Sequence, residues 1–137
     1  MNHWLLKTEP DEFGWADQLA AGDGGAEWHG IRNYQARNYL RDMALGDLAL
    51  FYHTGREKAI VGITEVTRTA GPDSTADDPR WLSVWVRARR SLRPVTLAQC
   101  KAAAGLEAMA LLRSPRLSVQ PVTAQEWQII CALGGAD

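Results

Sequence analysis

The residues best equipped for chemistry sit together in Trp28-His29-Gly30-Ile31-Arg32-Asn33-Tyr34-Gln35-Ala36-Arg37-Asn38. Two aromatic rings, a histidine, two arginines, two asparagines and a glutamine share this stretch. It is too polar for a core strand or core helix and too aromatic for an ordinary solvated loop. Rings stack on a flat heterocycle, amides read its edge, and guanidiniums hold a neighbouring phosphate. The plainer alternative is a helix N-terminus whose Trp28 and Tyr34 are half-buried wall residues.

The elements that must position this stretch follow from periodicity. Asn33 is a natural N-cap, and Ala36, Tyr39, Leu40 and Met43 then fall on one apolar helical stripe. Arg37 and Arg41 fall off that stripe, a turn apart, free to face solvent or a phosphate. The uncapped N–H groups of such a helix point at whatever sits beside Asn33 and Tyr34. Upstream, His3–Thr8 reads as a strand stopped by Glu9-Pro10, which leaves Lys7 and Thr8 at a strand end. A short helix is predicted over 11–20, and the glycine-rich segment 21–25 ends it.

Downstream, Leu48–His53 and 59–66 form a β-hairpin across a five-residue polar connection, with Gly62 marking a bend or a close backbone approach. Alternation puts Tyr52 with Leu48 and Leu50, which makes it a core residue. The segment 70–79 is a loop and 81–88 a strand. Arg87, Arg89, Arg90 and Arg93 make a dense basic cluster there, read as a solvated sheet face shielding Trp85 in preference to a phosphate track. Short helices over 97–104 and 106–112, a strand over 116–122 and a final helix from the capping box at Thr123 to Gly134-Gly135 complete the chain.

Short strands with short helices inserted between them, without regular βαβ alternation, predict an α+β fold around a curved or closed sheet, in one domain over 1–137. A net charge of −1 gives no global basic field, so any nucleic-acid binding must come from a local patch and a pocket. No apolar run approaches membrane-spanning length, and the first residues do not read as a signal peptide. Cys100 and Cys131 match no metal or redox spacing and read as buried thiols in a reducing cytosol. No metal and no cofactor is expected. Six tryptophans exceed what a core of this size asks for, which points to rings used for binding.

Lys7-Thr8-Glu9-Pro10, the stretch Trp28 to Asn38, Phe51-Tyr52-His53-Thr54, Ile60-Val61-Gly62, Pro72-Asp73 and Arg116-Leu117-Ser118-Val119-Gln120-Pro121-Val122 together resemble the EVE domain family of the PUA-like superfamily. The likeness runs almost end to end. Two positions depart from the family pattern: Thr8 and Thr54 stand where typical members carry serine, which keeps the hydroxyl and adds a methyl. The resemblance implies a PUA-like barrel and a reader of a modified base, for some members at least a modified cytosine (5-methyl or 5-hydroxymethyl) in DNA, swung out of the helix into a pocket.

On that basis the base pocket is expected to draw on Lys7, Thr8, Trp28, Asn33, Tyr34, Phe51, His53 and Ser118. Arg32 and Arg37 are expected on phosphates, with Arg32 alternatively ion-paired to Glu9 or Asp73. Base flipping from a duplex costs a few kcal/mol, so binding should be weak unless the base is modified, mismatched or single-stranded. Three alternatives stay open: an RNA reader of a modified base, a binder of a small nucleoside-like ligand, and an enzyme using His53, Glu9 or Asp73 in acid–base work. No catalytic constellation is evident, and binding without turnover by a monomer is the expectation. The compartment would be the cytoplasm in a bacterium or the nucleus in a eukaryote.

Overall fold

The computed structural model describes residues 1–136. The chain runs through β1 (His3–Thr8), α1 (Trp15–Ala20), a 3-10 turn at Gly22–Gly24, β2 (Ala26–Trp28), α2 (Tyr34–Asp42), β3 (Leu48–His53), β4 (Ala59–Pro72), β5 (Leu82–Thr96), α3 (Leu97–Ala102), α4 (Ala110–Arg113), β6 (Val119–Val122) and α5 (Ala124–Gly134). The six strands make one mixed sheet in the order β2-β5-β4-β3-β1-β6, with β1 parallel to β3 and every other pair antiparallel. This is the α+β arrangement expected, but β2 and β6 remain its two edges, so backbone hydrogen bonds do not close it into a barrel. Helix α2 packs against β4, β5 and β6. It therefore touches strands toward both ends of the sheet order.

The central strands are buried on both faces, which is why their sequences are nearly continuous apolar runs. Leu6 and Phe51 point into one core with Trp15, Trp28 and the α2 residues Ala36 and Leu40. Leu5, Leu50 and Tyr52 point into the other, under α3, α4 and α5. Tyr52 is core, as its alternation with Leu48 and Leu50 predicts. The parallel register places Thr8 beside His53 at the C-terminal ends of β1 and β3. Open sheets tend to hold ligands outside such strand ends. No helix among the described residues is long and apolar enough to cross a membrane.

Several boundaries differ from the sequence expectation for identifiable reasons. The first helix starts at Trp15, not at 11, because the N–H groups of Glu12 and Phe13 both donate to the Glu9 carbonyl and form a turn instead. Strands β4 and β5 run well past 66 and 88. Register shifts after Ile60, Ile63, Val66 and Arg68 break the alternation by which a long strand is recognised. The helix expected over 106–112 is only Ala110–Arg113, and the strand over 116–122 only Val119–Val122. The short strand β2 was not expected at all. In the basic cluster, Arg87 and Arg89 both bind Glu65 at 2.8 Å, and Arg68 lies 4.5 Å from the Trp85 ring centre. That is the solvated, ion-paired sheet face.

Gly62 marks the close approach its sequence position suggested. A Cβ there would run into the Trp15 indole, whose Nε1 donates to Ser91 Oγ at 2.8 Å across the same sheet. The ring lies flat over the strand because no side chain stands under it. Gly62→Ala should therefore destabilise the protein by about 1–3 kcal/mol through overpacking. Gly71→Ala, on the same strand with open space around its Cβ, should stay within about 0.5 kcal/mol. Urea unfolding of the two variants checks this, with a fall in midpoint for the first alone.

Candidate functional site

Beside the C-terminal end of β1 lies a cleft of ≈ 380 Å³, lined by Thr8, Glu12, Phe13, Ala26, Glu27, Trp28 and His29. That volume is within the range of small-ligand sites. Its construction starts with the turn after β1. Pro10 ends the strand, the Glu9 carbonyl gathers the next N–H groups, and Thr8 Oγ1 donates to the Phe13 carbonyl at 2.9 Å. Phe13 is thereby folded back against the indole of Trp28, edge to face at 6.1 Å. Strand β2 supplies the opposite wall by pairing with β5, Trp28 opposite Val84.

Behind these rings, Phe51 packs edge to face on Trp28 at 5.5 Å and on Trp15 at 5.0 Å. His53 sits next to Phe51 and has both ring nitrogens engaged. Nε2 accepts from the Trp15 N–H at 3.0 Å, which leaves Nδ1 to donate to Glu57 at 2.9 Å. Gly14, the N-cap of α1, has no side chain, so His53 satisfies a helix-end donor that would otherwise be orphaned. Thr54 Oγ1 reaches back to the Thr8 carbonyl and to Glu9 at 3.2 Å each. The two threonines thus bind protein groups with the hydroxyl they share with serine.

The rim is organised by two carboxylates. Asp73, its side chain fully buried, accepts from the Gly30 N–H at 2.7 Å, from the Thr75 N–H at 2.7 Å and hydroxyl at 2.6 Å, and from Arg32 at 3.0 Å. Burial opposes ionisation, but these donors outweigh it and hold the Asp73 carboxyl down at about 2. Glu27 likewise accepts from the Ser74 N–H at 3.0 Å, the Ser74 hydroxyl, and the Ser83 hydroxyl at 2.7 Å. Its burial too is outweighed by the hydrogen bonds from Ser74 and Ser83, and its carboxyl lies below the ordinary value. The β2 wall of the cleft and the loop that follows it are therefore both tied to the segment 73–75.

The expected site residues do not converge on one pocket. Thr8 and Trp28 line the cleft, with Trp28 only 6% exposed. Phe51 is 0% exposed and supports the cleft from behind, out of reach of any ligand. His53 is likewise a buried support. Asn33 caps α2, its side chain accepting from the Ala36 N–H at 2.9 Å, and lines a different cleft with Gln35 and 114–117. Lys7 donates from Nζ to the Pro115 carbonyl at 2.8 Å in a third cleft beside Tyr52, and burial pushes its ammonium below its ordinary value. Ser118 joins Lys7 only by backbone, its carbonyl accepting from the Lys7 N–H at 3.0 Å. Arg32 takes the alternative role, paired with Asp73.

Tyr34 faces away from Trp28. Its ring packs on Trp81 at 5.0 Å instead, 50% exposed, so the pair Trp28 and Tyr34 does not form a sandwich. Arg37 lies over Tyr34, with its guanidinium 5.2 Å from the ring centre. The cleft residues that sequence reasoning missed are Phe13, Glu12, Ala26, Glu27 and His29. The signal that could have found them was the Glu9-Pro10 stop, which turns the chain back on itself.

Comparison with known proteins places these features in company. The EVE domain model matches residues 2–133. Thymocyte nuclear protein 1 of Mus musculus is 36% identical over 96% of this chain and 73% of its own length. A crystal structure of an Agrobacterium tumefaciens protein is similar with a TM-score of 0.97 and 47% identity, covering 100% of this chain and 96% of that one. Human THYN1 in complex with DNA containing 5-methylcytosine is similar with a TM-score of 0.89 and 34% identity, covering 100% of this chain and 99% of that one.

Asp73 gives the rim a measurable pH signature. Its folded carboxyl titrates near 2 against 3.8 for the ordinary group. A depressed carboxyl stabilises the fold fully above its unfolded value and ceases to as pH falls through its folded value. That contribution is on the order of 2 kcal/mol at neutral pH. Asp73→Asn should lower stability by about this amount at pH 7, and the gap from wild type should close between about pH 4 and pH 2. Urea unfolding across that range checks both the size and the window.

Proposed function

The chain belongs to the EVE domain family, and from that membership we propose that it is a DNA-binding reader of modified cytosine. The modified base, 5-methylcytosine or 5-hydroxymethylcytosine, leaves the helix and enters the cleft beside β1 and β2. The observation that carries this reading is the cleft itself: ≈ 380 Å³, walled by Phe13 and Trp28 and edged by Thr8, Glu12, Glu27 and His29. Carboxylates accept from the exocyclic amine of cytosine, which thymine lacks. An added methyl meets Ala26 and the rings, and burying it is worth about 0.8 kcal/mol. The relative solved with 5-methylcytosine DNA supports the same ligand class.

The reading has no reaction in it. Both nitrogens of His53 are held by Trp15 and Glu57, which leaves this imidazole without a position from which to move a proton on a ligand. A PUA-like barrel, completed by side chains where backbone pairing stops, belongs to the same reading. So does a place beside DNA, in a nucleus or in a bacterial cytoplasm.

Matched duplexes carrying 5-methylcytosine, 5-hydroxymethylcytosine, cytosine or thymine at one position test the function by fluorescence titration. A modified cytosine should bind about fourfold or more tighter than plain cytosine, the equivalent of one buried methyl. Glu12→Gln should narrow the discrimination between cytosine and thymine. Trp28→Phe, which keeps an apolar core residue while shrinking the stacking face, should weaken every modified duplex. Equal affinity for all four duplexes would refute the reading. Tighter binding to RNA carrying the same base would transfer it to RNA.

A further inference from the structure

A second surface lies across the 73–75 segment from the cleft. Arg32, Trp81, Tyr34 and Arg37 form one contact chain there. The Arg32 guanidinium lies 5.9 Å from the centre of the Trp81 ring, the Trp81 and Tyr34 rings are 5.0 Å apart and tilted by 31°, and the Arg37 guanidinium is 5.2 Å from the centre of the Tyr34 ring. Arg80 donates from Nη1 to the Tyr34 hydroxyl at 2.7 Å. Three guanidiniums thus converge on two rings at the surface. An exposed cation–π contact adds little to stability, and the cations repel one another, so fold stability is a poor reason for the arrangement.

The charges there are not all balanced. Asp73 pairs with Arg32 at 3.0 Å and Asp78 with Arg80 at 2.8 Å. The hydrogen bonds of Arg37 go to neutral acceptors, Asn38 Oδ1 and the Arg80 carbonyl. The Arg80 contacts run through Nε to Asp78 and through Nη1 to the Tyr34 hydroxyl. We propose that Arg37 and Arg80, stiffened by the Tyr34–Trp81 stack, are a phosphate-binding platform that grips the DNA backbone beside the nucleotide held in the cleft. This rests on the modified-cytosine reading and adds the surface that holds the strand.

The platform fits that ligand for three reasons. A guanidinium is a fork matched to phosphate oxygens, and a fork already held against a ring loses less freedom on binding. A chain of net charge −1 must gather its phosphate contacts locally. The platform also shares a wall with the cleft: Ser74 holds Glu27 at the cleft mouth while its neighbour Asp73 holds Arg32 under Trp81. Base pocket and backbone grip are thereby set in fixed relation by a single segment.

The test compares 5-methyl-2′-deoxycytidine, which carries no phosphate, with a 5-methylcytosine duplex titrated over a range of salt. Arg37→Gln and Arg80→Gln should each weaken duplex binding by about tenfold at low salt and reduce the slope of log affinity against log salt by about 1. Tyr34→Leu, which removes the ring between the guanidiniums and the hydroxyl that orients Arg80, should weaken duplex binding with a smaller change in slope. Nucleoside affinity should hold within about twofold in all three, because only the cleft contacts it. Lys101→Gln, at an exposed position of α3, should leave the duplex affinity unchanged. Wild-type duplex affinity and salt slope retained in the arginine variants would overturn the platform alone. An equal loss with Lys101→Gln would overturn it in favour of general charge. A wild-type protein that binds neither nucleoside nor duplex would overturn the platform together with the cytosine reading.

Discussion

The buried carboxylate of Asp73 is the constraint on which the working face of this protein depends. Its side chain has no exposure, yet it stays ionised because four donors from three residues converge on it. Removing water from a carboxylate is costly unless donors replace it, and breaking such a cluster leaves a charge stranded. Gly30 and Arg32 are therefore held where Asp73 holds them. The connection 29–33 between β2 and α2 is a loop that neither helix nor sheet hydrogen bonds secure, and Asp73 supplies anchorage that secondary structure does not.

Aromatic packing performs the complementary task on the inner side. Phe51, fully buried, meets Trp15, Trp28 and Phe13. The edge-to-face contacts with Trp15 and Trp28 add about 0.5–1.5 kcal/mol per pair beyond their burial, and they fix ring orientation as well as position. Trp28 presents its remaining surface to the cleft, with Phe13 and Phe51 packed edge to face against its ring. Gly62 makes room for Trp15, which makes the α1 turn possible, and His53 caps that turn from the next strand. Stability and site geometry are thus produced by the same contacts.

Much of this was legible in the sequence. The β1 strand, the β3–β4 hairpin, the α2 cap at Asn33 with its apolar stripe, both capping boxes at Thr96 and Thr123, and the close approach at Gly62 all follow from local chemistry. Long β4 and β5 were hidden by bulges that scramble alternation, and β2 by its length of three residues. The site was harder for a different reason. Trp28 ends β2 and Tyr34 begins α2, six residues apart across a loop with no fixed period, so nothing in their spacing decides whether they face each other. Tyr34 turns to Trp81, some forty-seven positions away, a choice made by tertiary contact alone. Phe51 and His53 were recognisable as aromatic residues near a site, but only the parallel pairing of β1 with β3 shows that they lie beneath it.

The separation of the rings into two groups changes what the protein has to do to bind. Had Trp28 and Tyr34 formed a sandwich, one pocket would carry both base recognition and most of the affinity. Instead the base-sized cleft holds carboxylates at its mouth, Glu12 and Glu27, which repel phosphate and suit a neutral base bearing an amine. The cations are gathered on the far side of the 73–75 segment, around Tyr34 and Trp81. Charges of opposite sign set on either side of one rigid rim can orient a strand, base toward the acids and backbone toward the arginines, without any net positive field. On the proposed reading, a protein of net charge −1 would have little hold on ordinary DNA and would gain its affinity where a nucleotide satisfies both surfaces at once.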